Sequence, residues 1–152
     1  MALPNIFTTD VSRKIIQRIN QLEPTTTANW GKMNVAQMLA HCNVTYEMIY
    51  GDKHPKPAFF MKFILRTFVK KIVTSETPYK HNSQTAPAFI IKDERDFEAE
   101  RNRLISYINN TQQLGETHFH NKESHSLGLL NGTEWNNMFY KHLDHHLQQF
   151  GA

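Results

Sequence analysis

The chain of 152 residues and 17.8 kDa has the length of one ordinary domain, and no break in composition marks a second, so residues 1–152 are read as a single domain. Hydrophobic residues make up 39% and charged residues 20%, with ten Phe and two Trp, which excludes a disordered or collagen-like chain. The net charge of +3 is spread along the chain and does not imply nucleic acid, and the single cysteine, Cys42, excludes an intramolecular disulfide.

The opening MALPNIFTTD carries no basic segment followed by an apolar run, so a cytoplasmic location is expected. The most apolar stretch, residues 57–73, is interrupted by Lys62, Arg66, Lys70 and Lys71, and no membrane partner is expected from it. Without a secretory route, the Asn-x-Thr triplets at Asn43, Asn109 and Asn131 are chance matches.

Val11, Ile15, Ile16, Ile19 and Leu22 recur at helical steps behind Thr8, Thr9 and Asp10, any of which can cap a helix, and Pro24 ends this first helix. Trp30-Gly31 reads as a turn. Asn34 and Gln37 form a capping box for a second helix, whose Val35, Met38, Leu39, Cys42, Tyr46 and Ile49 share one face up to Gly51. A third helix over 58–73 has an unusually wide apolar arc beside a stripe of Lys62, Arg66 and Lys70. Residues 74–92 read as a long loop. A helix from Asp93 to about Gln113 turns Phe97, Arg101, Leu104, Ile105 and Ile108 inward, with Glu98, Glu100, Arg103 and Asn110 toward solvent. A second loop is expected from Leu114 to about Leu130, and the last helix from near Thr133 to Phe150, with Gly151 as its left-handed cap. No segment alternates with period two, so the fold is expected to be all-α: four main helices, one accessory helix and two long loops in a helical bundle.

Nine histidines make position more informative than number. In the last helix His142 and His146 are four apart, stacked on one face about 6 Å along the axis, a spacing that suits two ligands of one metal ion. The helical phase places both near the centre of the inward face with Trp135, Met138, Phe139, Gln149 and Phe150, leaves His145 at its edge, and turns Tyr140 and Asp144 away. Inward polar groups need partners. His41 on the second helix can supply a third ligand. Local spacing alone leaves two readings open: a shared ion, or separate hydrogen bonds across the core.

The segments Trp30-Gly31-Lys32-Met33-Asn34-Val35-Ala36-Gln37-Met38-Leu39-Ala40-His41-Cys42 and Lys141-His142-Leu143-Asp144-His145-His146-Leu147-Gln148-Gln149-Phe150-Gly151 together resemble the DinB-like superfamily, and within it a branch known only as a domain of unknown function. The order of elements matches over nearly the whole chain. The resemblance implies a DinB-like four-helix bundle that binds a divalent metal, most often Zn or Ni, through His41, His142 and His146. Many members carry Arg after the final ligand, then Gly and Gln; here Leu147 and Gln148 stand in the first two places and only Gln149 is kept. Gln149, His125 and His145 are candidates for supporting the ligands or touching substrate.

A zincin protease is disfavoured because Leu143 occupies the place of its Glu. Cys42 points about 100° from His41 and reads as a buried structural thiol, not as half of a Cys-His pair. No phosphate loop, zinc-finger spacing or serine elbow is present, and no nucleic-acid partner is expected. Two functions follow. In one, three neutral imidazoles hold an ion with open positions for a small-molecule substrate; the resemblance suggests transfer involving a low-molecular-weight thiol, or hydrolysis. In the other, the protein is a non-catalytic, dimeric metal-binding or stress-response protein. The wide apolar arc of residues 58–73 predicts a homodimer unless the 74–92 loop folds over it.

Overall fold

Of the three candidate caps before the first helix, Thr8 is the one used: its hydroxyl accepts from the Val11 amide at 3.4 Å, and α1 runs Thr9–Asn20 with Ile15 and Ile19 buried. The computed structural model describes residues 2–152. α2 spans Val35–Tyr50 behind the complete Asn34–Gln37 capping box. It is buried on nearly every side from Val35 to Glu47, not on one face alone, which draws Asn43, Thr45 and Glu47 into the interior as well.

The expected third helix follows a single helical path in three parts: α3 Phe59–Ile64, a π-helical turn Leu65–Val69 and α4 Lys70–Thr74. Within it the Lys70 amide donates to Leu65, five residues back, and the Thr67 hydroxyl takes the Phe63 carbonyl at 2.8 Å. A hydroxyl that occupies a carbonyl of the ladder is a local reason for the helix to widen. The following loop contains a single 3₁₀ turn, Pro87–Phe89.

α5 spans Phe97–Phe119 behind the Asp96 cap, longer than expected. Gly115, at φ 75°, breaks its path, and one more turn carries Phe119 into the core against Phe7, Trp135 and Phe139. The second loop is correspondingly shorter and holds an antiparallel pair, β1 Lys122–Glu123 and β2 Leu129–Leu130, in register Lys122 to Leu130. Strands of two residues are too short to show a period. α6 spans Gly132–Gln149, capped by an Asn131–Glu134 box and closed by Gly151 at φ +73°. α5 packs on α1 and α2, and α6 closes the core against all three. The fold is all-α apart from the short ladder, and among the described residues no helix is long and apolar enough to cross a membrane.

Glu100 departs from expectation: it is buried, not solvated. Asn43 donates to its carboxylate at 2.8 Å and its carbonyl at 3.0 Å, Arg95 reaches it at 3.4 Å, and Arg103 bridges it to Glu47. Burial pushes the Glu47 carboxyl up, but hydrogen bonds from His54 and Arg103 outweigh that and hold it below the usual carboxylate range.

Candidate metal centre

His41 lies mid-way along α2, and His142 and His146 lie one turn apart on the face of α6 that meets it. The ring centroids stand 4.5 Å (His41–His146), 4.9 Å (His142–His146) and 5.0 Å (His41–His142) apart. One donor nitrogen from each falls within 4.8 Å of the others, and the His41 and His142 Nε2 atoms are 3.0 Å apart. Tetrahedral zinc with nitrogen ligands needs donors roughly 3.3 Å apart, so this spacing fits one ion with small adjustment.

The opposite ring nitrogens are all engaged. His41 Nδ1–H donates to the Phe89 carbonyl at 2.8 Å, which leaves Nε2 without a proton when the ring is neutral. His146 Nδ1–H donates to Gln149 Oε1 at 2.8 Å. The Gln149 amide is oriented in turn, because its Nε2 donates to the Trp30 carbonyl at 2.7 Å. His142 Nδ1 meets the Thr45 hydroxyl at 3.1 Å. When that hydroxyl accepts, the His142 Nε2 lone pair is free to ligate; when it donates, Nε2 carries a proton and can bond His41.

Gly31 makes this contact network feasible. Its φ is +86°, and a Cβ there would stand 2.5 Å from Gln149 Nε2, so a side chain would be both strained and in the way.

The electrostatics favour neutral imidazoles. Burial pushes His142 well below its usual pKa, and His146, His41 and His145 add to this. Burial and then His41 take His146 to about 3, against the opposing hydrogen bond to Gln149. His41 is lowered by burial, partly offset by the Phe89 carbonyl. Three neutral bases with convergent lone pairs form a Lewis-basic pocket.

The other sequence candidates separate in space. Gln149 is the hydrogen-bond acceptor that orients His146. His145 stands outside the donor group, edge-on to Trp30 at 5.8 Å and Tyr79 at 5.6 Å. His125 bonds the His54 carbonyl at 3.0 Å and, among the described residues, shares no hydrogen bond or ring contact with the three histidines. Cys42 is buried with Sγ 3.8 Å from Met38 Sδ, and burial pushes its thiol up, in keeping with a structural role.

Sequence reasoning missed Thr45, Phe89, Tyr79, His81 and Lys141. Tyr79, His81 and Phe89 come from the long loop, and His81 stacks on Trp30 with ring centroids 3.7 Å apart. Lys141, beside His142, is buried and donates to the carbonyls of Ile72 (2.7 Å), Ser75 (2.6 Å) and Thr77 (3.1 Å), which anchors the start of that loop to α6. Burial pulls its ammonium down to about 8. The helical phase gave no signal, because Lys141 lies about 100° from His142, outside the inward face, and its partners are backbone carbonyls.

The fold and the site define a class: a helical protein with three convergent, mostly buried histidines close enough together to bind a metal ion. The chain belongs to the DUF1569 family, proteins of unknown function, whose family model matches residues 6–152. No curated protein and no solved structure matches it.

Proposed function

We propose that this protein is a cytoplasmic metal-dependent enzyme of the DinB-like type, a four-helix bundle in which His41, His142 and His146 hold one divalent ion, zinc or nickel. The observation that carries this reading is the commitment of every Nδ1 to Phe89, Gln149 or Thr45 while the Nε2 side of the cluster converges. An ion held by three imidazoles supplies a Lewis acid with open positions, able to lower the pKa of a bound water or thiol.

The residues of the chain set the rest. The Phe89 carbonyl, the Gln149 amide and the Thr45 hydroxyl orient the three rings, and none of them carries charge. The positive charge of a bound ion is therefore left for an anionic substrate group, such as the thiolate of a low-molecular-weight thiol, to balance. Phe89 packs against the His41 and His142 rings, and the burial of His41 and His146 around the site strengthens that attraction. Transfer to or from a thiol, or hydrolysis of a small molecule, is the reaction class this arrangement suits.

The test is elemental analysis of protein purified without an affinity tag or chelator, followed by a screen for thiol-transferase and hydrolase activity. One divalent ion per chain with three histidines and a water around it, together with turnover lost on chelation, supports the reading. A fourth protein ligand with no turnover favours a structural ion.

A further inference from the structure

The apolar helix over 59–74 had two possible coverings, a second copy of the chain or the long loop that follows it. The loop is engaged elsewhere: its Tyr79, His81 and Phe89 pack on His145, Trp30 and His41. Phe59 is left 88% exposed, Phe60 72%, Phe68 66% and Phe63 60%, with Met61 and Ile72 also in solvent. We infer that this face is the contact of a two-fold homodimer, in which Phe60 of each copy enters the hollow between Phe59 and Phe63 of the other.

Area, shape and charge each point to a second copy. A Phe side chain offers about 150–250 Å². The four exposed rings therefore present roughly 400–700 Å². Ile72 adds to this area, which is at or above the roughly 300–600 Å² of the largest patch usual on a monomer and approaches the ~800 Å² per partner of a standard interface.

The same helix carries both halves of a self-complementary contact. Phe59, Phe63 and the stems of Lys62 and Arg66 line a hollow of about 190 Å³ whose surface is almost wholly carbon. The hollow is a groove on the helix surface, open to solvent, against which a ring of a second copy can lie. Phe60, on the adjoining face, is a free ring. A two-fold contact pairs hollow with ring twice by symmetry.

Charge argues for a protein copy over an anionic lipid surface. Arg66 is paired with Glu123 at 3.5 Å, and Lys70 with Glu134 at 3.1 Å, so two of the cations an anionic membrane would recruit are already answered within the chain. Lys62 and Lys71 can extend past the apolar face on their hydrocarbon stems.

The test is sedimentation velocity of the full chain from 1 to 100 µM, with Phe60→Glu and Phe63→Glu as variants. Both positions are mainly in solvent, so neither change removes a core contact. A dimer that each variant weakens at least roughly 30-fold, the size of a hot-spot truncation, with helicity and metal stoichiometry unchanged, supports the inference. A chain monomeric at 100 µM overturns it, as does a dimer indifferent to both variants. A monomer that floats with vesicles of anionic lipid but not with neutral ones assigns the face to a membrane surface instead. Because metal content is read separately, loss of the dimer and failure of the metal proposal are distinguishable.

Discussion

Two polar clusters are buried on opposite sides of α2. His41 and Thr45, four apart, look toward α6 and the imidazoles; Asn43 and Glu47, four apart and about 200° round from His41, look toward α5 and Glu100. In the α5 cluster the charges are answered within the chain, the carboxylates of Glu47 and Glu100 by Arg95, Arg103, Lys53 and His54, although Asn43 Oδ1 and Arg95 Nε are left without a partner among the described residues. The α6 cluster has hydrogen bonds on its outer nitrogens, its inner nitrogens face one another with His41 and His142 Nε2 3.0 Å apart, and no carboxylate is among its partners in the described residues. Burial in the first serves the fold, and burial in the second brings three histidines close enough together to hold a metal ion. The lesson is that a buried polar group is read by whether its partners balance its charge and lone pairs, not by its burial.

The largest effect that can break this contrast is loss of two ligands. Replacing His142 and His146 together by Ala should abolish stoichiometric metal uptake, measured by elemental analysis after dialysis, while far-UV circular dichroism keeps its helical signal. Retained one-to-one binding would show that the inner nitrogens are not the site.

Glu47→Ala tests the other cluster. It leaves Arg103 and His54 without their shared carboxylate, and the expected loss is about 2–3 kcal/mol of unfolding free energy in urea, below the range for fully buried pairs because Arg103 reaches solvent. Metal affinity should not move. A metal defect equal to that of the histidine variants would mean that the two sides of α2 are one unit.

Acidification separates the clusters along the pH axis. The three histidines have folded pKa values below the ordinary 6.5, so the unfolded chain binds more protons, and the stability they contribute is present above pH 6.5 and lost as pH falls toward about 3, where His146 titrates. Glu47 is also depressed, from 4.5, so its contribution starts to fall only below about that pH. The metal-free protein should therefore lose urea stability in two stages, and metal should be released across the first. Affinity unchanged between pH 7.5 and 5 would point away from imidazole ligands.

Gln149→Ala is expected to act more mildly, lowering metal affinity about 10–100-fold, the usual cost of removing a hydrogen-bond partner behind a ligating histidine. Gln149→Glu, which restores an acceptor for His146 Nδ1, should recover part of it by isothermal titration. Equal loss in both variants would argue that Gln149 acts mainly through its bond to Trp30.

What could be read ahead of the structure was local. The Asn34–Gln37 box, the stacking of His142 on His146 and the αL Gly151 depend on spacings of a few residues, which a sequence displays directly. Glu100 was misread because Asn43, which donates to it, lies on another helix 57 positions away, while its local partners Arg95 and Arg103 fit a solvated helix face equally well. The Phe89 carbonyl behind His41 is backbone, which any residue type provides, so no pattern could single it out. The π turn at 65–69 preserves a helical composition while changing the phase by one residue, which is below what periodicity resolves.

The smallest expected effect belongs to His145, and it separates a ligand from a neighbour. Its ring stands 5.1 Å from that of His146, close enough to be mistaken for a fourth ligand, yet its nitrogens make no hydrogen bond among the described residues and lie outside the convergent group. Its contacts are edge-on to Trp30 and Tyr79, with His81 6.1 Å away. His145→Ala should thus leave metal stoichiometry at that of the unmodified protein and change affinity by less than about threefold, while losing about 0.5–1.5 kcal/mol of stability from the ring contacts. His145→Phe, which keeps an aromatic edge but no nitrogen, should restore most of that stability. If His145→Phe lost metal while remaining folded, the boundary drawn around His41, His142 and His146 would have to be widened to include it.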